Sequence, residues 1–146
     1  MIYFVKAEIT KRIKIGYTAQ WIDTRLSPMQ SNSPDKLTFL GGFVGSKELE
    51  INIQNLFREN LSHGEWYNEG NDLYSYIEAN CLKDKFSFDW ICDAISDNSI
   101  SFEDAQLLDD IKIRELSQAR IKYAFDNSFK NIVIPDFGPQ LIAKKS

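Results

Sequence analysis

Histidine and cysteine are scarce in this chain: 146 residues hold one histidine, His63, and two cysteines, Cys81 and Cys92. That scarcity argues against a structural zinc site, which takes its four ligands mainly from those two residue types. It also disfavours a disulfide framework, and the pair reads as reduced, partly buried thiols of a cytosolic protein. No run of about 18 apolar residues occurs, so no membrane span is expected. The opening Met-Ile-Tyr-Phe-Val-Lys-Ala-Glu lacks the basic region, long apolar region and cleavage site of a secretory signal. The sequence has neither an internal repeat nor a low-complexity segment.

Apolar residues are plentiful. The chain is 43% hydrophobic and 13% aromatic, enough burial to offset the entropy of ordering. One domain of ordinary size with a short appendage is expected for this length. The net charge of −4 conceals an asymmetry: residues 1–47 carry seven Lys/Arg and three Asp/Glu, net +4, whereas residues 48–146 carry ten and eighteen, net −8. The basic part suits a phosphate-binding surface, or simply a charged hairpin rim in solvent. The whole molecule should not hold nucleic acid strongly through charge alone.

Residues 2–8 and 12–17 are apolar-rich runs separated by Ile9-Thr10-Lys11, which predicts an antiparallel hairpin with a charged turn. Thr18 is placed to cap a helix through Trp21, Ile22 and Leu26, with Pro28 distorting its end. The turn formers Ser31-Asn32-Ser33-Pro34-Asp35 lead into a strand over 37–44, where Gly41-Gly42 signals a bulge or a close approach. Ser46 predicts the cap of a helix over 47–61, with Leu49, Ile53, Leu56 and Phe57 as its apolar stripe and Glu50 at the stripe's edge, directed toward the sheet. Asn71 or Asp72 opens a helix holding Leu73, Tyr76 and Ile77. Further on, residues 86–95 are predicted helical, and Ser101 with Asp104 forms a capping box before a long helix to about Asp126. Leu107, Leu108, Ile111, Leu116 and Ile121 spread over more than one face of that helix, predicting burial on two sides. The last twenty residues read as extended.

Chemistry concentrates near the amino terminus. A tyrosine and a lysine on paired strands, Tyr3 and Lys14, with Arg25 and Glu50 on following helices, supply what phosphodiester hydrolysis requires: a proton acceptor, positive charge for the phosphate and a ligand for a hard metal ion. Arg25 can bind two phosphate oxygens with its planar fork. Glu50 offers an oxygen ligand suited to Mg²⁺ or Mn²⁺, with Glu48 as its rival and the helix dipole as the bland explanation of both. A cation beside Tyr3 would lower the phenol's pKa toward working range, and Lys14 is the competing base. Lys11 and Arg12 of the basic hairpin rim and the lone His63 are candidate substrate contacts. Glu65-Trp66-Tyr67 reads as a packing anchor.

Ile2-Tyr3-Phe4, Lys14-Ile15-Gly16-Tyr17-Thr18, Arg25-Leu26, Gln30-Ser31-Asn32-Ser33-Pro34, Glu50 and Gly64-Glu65-Trp66-Tyr67 occur in that order within about the first 80 residues. This series resembles the GIY-YIG nuclease superfamily and, more narrowly, its phage-type and meiotically-up-regulated-gene-type branch. The resemblance implies an α+β fold with a small three-stranded antiparallel sheet flanked by helices over residues 1–80. A mostly helical, acidic extension with an extended tail would occupy 81–146. It implies a metal-dependent endonuclease cutting DNA, or RNA, through an activated water, with Mg²⁺ or Mn²⁺ as cofactor. Carried over by position, Tyr3, Lys14, Tyr17, Arg25 and Glu50 form the catalytic set, with Glu50 as metal ligand. Lys14 stands where the second motif usually has tyrosine, Tyr17 where lysine is frequent, and Gln54 where many branch members have histidine. The alternative is a non-cleaving nucleic-acid-binding or protein-interaction module on the same scaffold. A homodimer or a protein partner would use the acidic extension.

Overall fold

The computed structural model describes residues 1–126, so the last twenty residues, expected to be extended, lie outside the described residues. The described chain runs β1 (Ile2–Ala7), β2 (Arg12–Tyr17), α1 (Ile22–Ser31), β3 (Leu37–Phe43), α2 (Lys47–Leu56), β4 (Leu61–His63), β5 (Trp66–Asn68), α3 (Asn71–Asn80), α4 (Lys85–Ser96), α5 (Phe102–Ala105) and α6 (Asp110–Asp126). The class is α+β, and the strands form one antiparallel sheet in the order β3-β1-β2-β5-β4. Five strands replace the expected three. The added pair, β4 and β5, is a hairpin of three-residue strands around Gly64 at φ +55°, too short for hydrophobic alternation to show in sequence.

Strand alternation divides the core. On one face Tyr3, Val5 and Ala7 pack with Ile22 and Leu26 of α1, Phe88 and Ile91 of α4, and Ile113 and Leu116 of α6. On the other, Ile2, Phe4, Ile13 and Ile15 pack with Ile53 of α2, with Phe57 just after it, and with Leu73 and Ile77 of α3. Helices beyond residue 80 thus bury their apolar side chains in the same cluster as the first strand. Among the described residues no helix is long and apolar enough to cross a membrane. Leu108 and Leu116 are buried, but Leu107 and Ile111 are exposed, so the expected two-sided burial does not hold there. The single long helix also divides into α5 and α6.

Glycine sets two close approaches. A side-chain carbon at Gly42 would lie 2.4 Å from the Phe88 ring, and one at Gly16 would lie 2.3 Å from the Tyr3 ring. The first lets α4 close on β3. The second lets Tyr3 lie flat across β2, where its directly paired residue is Gly16. The predicted bulge is present: the β1–β3 register shifts between Phe4 and Val5, so that Gly41 and Phe39 face consecutive residues.

Helix starts follow local chemistry in two places and tertiary chemistry in one. Ser46 caps α2 by accepting from the Leu49 amide at 3.1 Å, and Ser101 caps α5 from the Asp104 amide at 3.1 Å. Thr18 does not cap α1; its hydroxyl instead accepts from the Gln20 amide at 3.0 Å. The first amide of α1, Ile22, donates to Asp89 Oδ1 of α4 at 2.8 Å, and Trp21 Nε1 donates to Asp93 at 2.7 Å. A cap delivered from 67 residues away leaves no local signature.

Candidate functional site

β5 stops at Trp66 while β2 runs on to Tyr17, and this leaves the end of β2 paired with β1 on one side and open on the other. The Ile15 amide takes the last bond, to the Glu65 carbonyl at 3.1 Å. The Ile15 carbonyl accepts from Gln54 Nε2 of α2 at 3.0 Å. Gln54 therefore ties α2 to the open edge of β2, with Glu50 one turn earlier on the same side of the helix.

Glu50 sits within the buried stripe of α2 rather than at its edge and is 4% exposed. Among the described residues its carboxylate has no hydrogen-bond or ion-pair partner. Burial pushes its pKa above the ordinary carboxylate value and the Glu65 charge adds to this, while Lys47, Lys14 and Arg25 oppose it. Its oxygens still touch solvent, since the one fully buried side-chain polar atom without a partner among the described residues is Ser87 Oγ. Glu48, its sequence rival, is exposed.

Tyr3 is 1% exposed. Arg25 follows Ile22 by three residues and precedes Leu26, both buried, so it stands at the border of the α1 stripe, close enough for its charge to act on the Tyr3 phenol. Burial raises the Tyr3 pKa and outweighs the charge and hydrogen bonding of Arg25. The expectation of an acidified phenol is therefore corrected: Tyr3 is a neutral hydrogen-bonding group. Lys14, its side chain 19% exposed, pairs with Glu65 at 3.3 Å. Tyr3, Lys14, Arg25 and Glu50 thus converge at one sheet edge, and Glu65, read from sequence as packing, joins them. Its turn, His63-Gly64-Glu65-Trp66, was the available signal.

The other candidates separate. Tyr17 pairs with Ile2, and alternation places it on the opposite face from Tyr3 and Lys14. Lys11 lies in the far turn of the hairpin, exposed and at φ 60°, a strand's length from Gly16. Arg12 and His63 line a cleft of about 530 Å³ that begins at Lys14 and is walled by Trp66 and the loop between α1 and β3. Gln30 braces that loop, accepting from the Leu37 amide at 2.8 Å and donating to the Asp35 carbonyl at 2.9 Å. Cys81 and Cys92 are free thiols, and burial pushes Cys81 up to about 12.

A divalent ion fits this donor set on one ground: Glu50 is a largely covered carboxylate that no hydrogen bond or ion pair engages among the described residues, with Glu65 close enough to raise its pKa. Among the described residues no group of three or more His, Cys, Asp and Glu converges. An ion here would therefore draw most of its shell from water and substrate oxygens, as Mg²⁺ commonly does.

Fold and site together define a five-stranded α+β domain with a polar, ionisable cluster where its second strand outruns its neighbour. The chain belongs to the T5orf172 domain family, whose model matches residues 1–87. All five clustered residues lie within the match. This corrects the GIY-YIG resemblance, since the matching family is a different one. Neither the curated proteins nor the solved structures include a match to this chain.

Proposed function

We propose that this protein is a divalent-metal-dependent endonuclease that hydrolyses phosphodiester bonds in DNA, acting in the cytoplasm. The observation that carries the reading is the Glu50 carboxylate, largely covered and without a hydrogen-bond partner among the described residues, set among Arg25, Lys14 and Tyr3. Carboxylates with raised pKa beside cations cluster at functional sites. Glu50 would hold Mg²⁺ or Mn²⁺, which supplies Lewis acidity and lowers the pKa of water. Arg25 binds the scissile phosphate and strengthens its contacts as charge builds. Lys14 adds a second cation, restrained by Glu65. Tyr3, kept protonated by burial, donates a hydrogen bond beside the guanidinium instead of taking a proton.

Plasmid DNA incubated with the full chain and Mg²⁺ or Mn²⁺ tests this. Glu50→Gln and Arg25→Ala should each slow cleavage by about a hundredfold or more, whereas Glu48→Gln should cleave normally. Full activity in the first two variants would overturn the assignments. The rival, a non-cleaving nucleic-acid-binding or protein-interaction module, draws on the −8 balance of residues 48–146. Binding of DNA in chelator without cleavage in any divalent ion would decide for it.

A further inference from the structure

We propose that the cleft beside Lys14 is a pocket for one unpaired nucleotide next to the scissile phosphate, and so that the substrate is single-stranded or locally opened DNA; this rests on the nuclease reading. Pairing sets Val5, Lys14, Trp66 and His63 in one row across four strands. Direct pairing keeps Val5, Lys14 and Trp66 on the Tyr3 face. The helices α1 and α4 cover that face over β1 and β3, while the β2–β5–β4 side is left to the cleft. Its floor is Lys14, Arg12 and Trp66, and its wall is Pro28, Met29 and the loop holding Asn32 and Ser33.

Charge and shape select the occupant. The ionic lining is mixed: Asp35 accepts from the Ile9 and Thr10 amides at 2.8 and 2.9 Å and Lys14 pairs with Glu65 at 3.3 Å, which leaves, among the described residues, the Arg12 guanidinium as the cation available to a phosphate. Trp66 is half-buried and adds a stacking surface. A volume of about 530 Å³ lies in the range of small-molecule sites. In a duplex the base faces are covered by their neighbours and only edges face the grooves, so a base enters this cleft only after leaving the stack. Lys14 belongs both to the cleft and to the cluster around Glu50. A nucleotide seated in the cleft therefore brings its adjoining phosphate to Lys14, the residue the two sites share.

The test uses the full chain in excess chelator, so that binding is read without cleavage. The probe is a short single-stranded DNA containing 2-aminopurine, compared with the same strand made abasic, a fully paired duplex and a duplex with one unpaired nucleotide. The single strand should bind with quenching of the 2-aminopurine, and the abasic strand and paired duplex should bind about tenfold more weakly. Recovery of affinity by the duplex with an unpaired nucleotide assigns the base to an opened duplex; failure to recover assigns it to single strands. Trp66→Leu should weaken single-strand binding about tenfold and Trp66→Phe much less. Equal binding of the abasic and normal strands by the wild-type chain overturns the pocket, even if Trp66→Leu fails to fold. The base-dependent pattern without cleavage in any divalent ion would sink hydrolysis and leave the pocket standing; cleavage with equal abasic binding would do the reverse.

Discussion

The two ends of the β1–β2 hairpin each bury a carboxylate, and the two are treated in opposite ways. At the turn end Asp35, 7% exposed, accepts from the Ile9 and Thr10 amides at 2.8 and 2.9 Å and from the Thr10 hydroxyl at 3.2 Å. Burial pushes its pKa up, but hydrogen bonds from Thr10, Ile9 and Lys36 outweigh this and hold it below the ordinary value. At the open end Glu50, 4% exposed, has no such donors and is raised. The same residue chemistry, similarly covered, closes a turn in one place and is left without a hydrogen-bond donor among the described residues in the other. Hydrogen-bonded acids maintain a fold, whereas acids with raised pKa and no partner are candidates for a functional site.

The sharpest way to break the turn end is Asp35→Ala, which strands the hairpin amides. We expect the melting temperature at pH 7 to drop by about 10 °C. A group whose folded pKa is depressed stabilises above its unfolded value and loses that contribution as pH falls through the folded one. The gap between wild type and variant should therefore close below about pH 4, the unfolded value being 3.8; thermal melts across pH check this.

Gly16→Ala attacks the other end sterically. The added carbon would sit 2.3 Å from the Tyr3 ring, which is fully buried and cannot swing away. A loss of about 1–3 kcal/mol follows from overpacking, and cleavage should fall as Tyr3 leaves Arg25. Urea melts alongside rate measurements separate the two effects.

A smaller effect is expected at Asp89, which caps α1 from α4. Asp89→Ala should cost about 1 kcal/mol and reduce kcat several-fold with little change in KM, because Arg25 rides on α1. Asp89→Asn, which keeps an acceptor for the Ile22 amide, should restore most of both. A variant with altered KM and normal kcat would show that α4 does not position Arg25.

These cases also show what was legible in the sequence. The hairpin, β3 with its bulge, and the Ser46 cap are written in local patterns: alternation, Gly41-Gly42 and a serine before a helical stripe. The convergence of Tyr3, Lys14, Arg25 and Glu50 could be anticipated from residue type and order. What sequence missed depends on tertiary partners. β4 and β5 are too short to carry a period, so Glu65 and Trp66 read as mere packing. Asp89 caps a helix that local reading assigned to Thr18. Tyr17 is adjacent to Gly16 in sequence, yet one step along a strand turns it to the opposite face. The fall in Tyr3 acidity was equally invisible, because burial rather than the neighbouring cation sets its direction.

Ionising Glu50 should destabilise the folded chain, and the melting temperature of Glu50→Gln against pH tests that directly. The unfolded chain releases this proton near the ordinary value of 4.5 and the folded chain only at higher pH, so rising pH favours unfolding across that interval. The glutamine variant should therefore melt about 3 °C above wild type at pH 7, the difference should vanish toward pH 4, and Mn²⁺ should stabilise wild type alone. A variant that melts lower than wild type at pH 7, or gains as much from Mn²⁺, would contradict it.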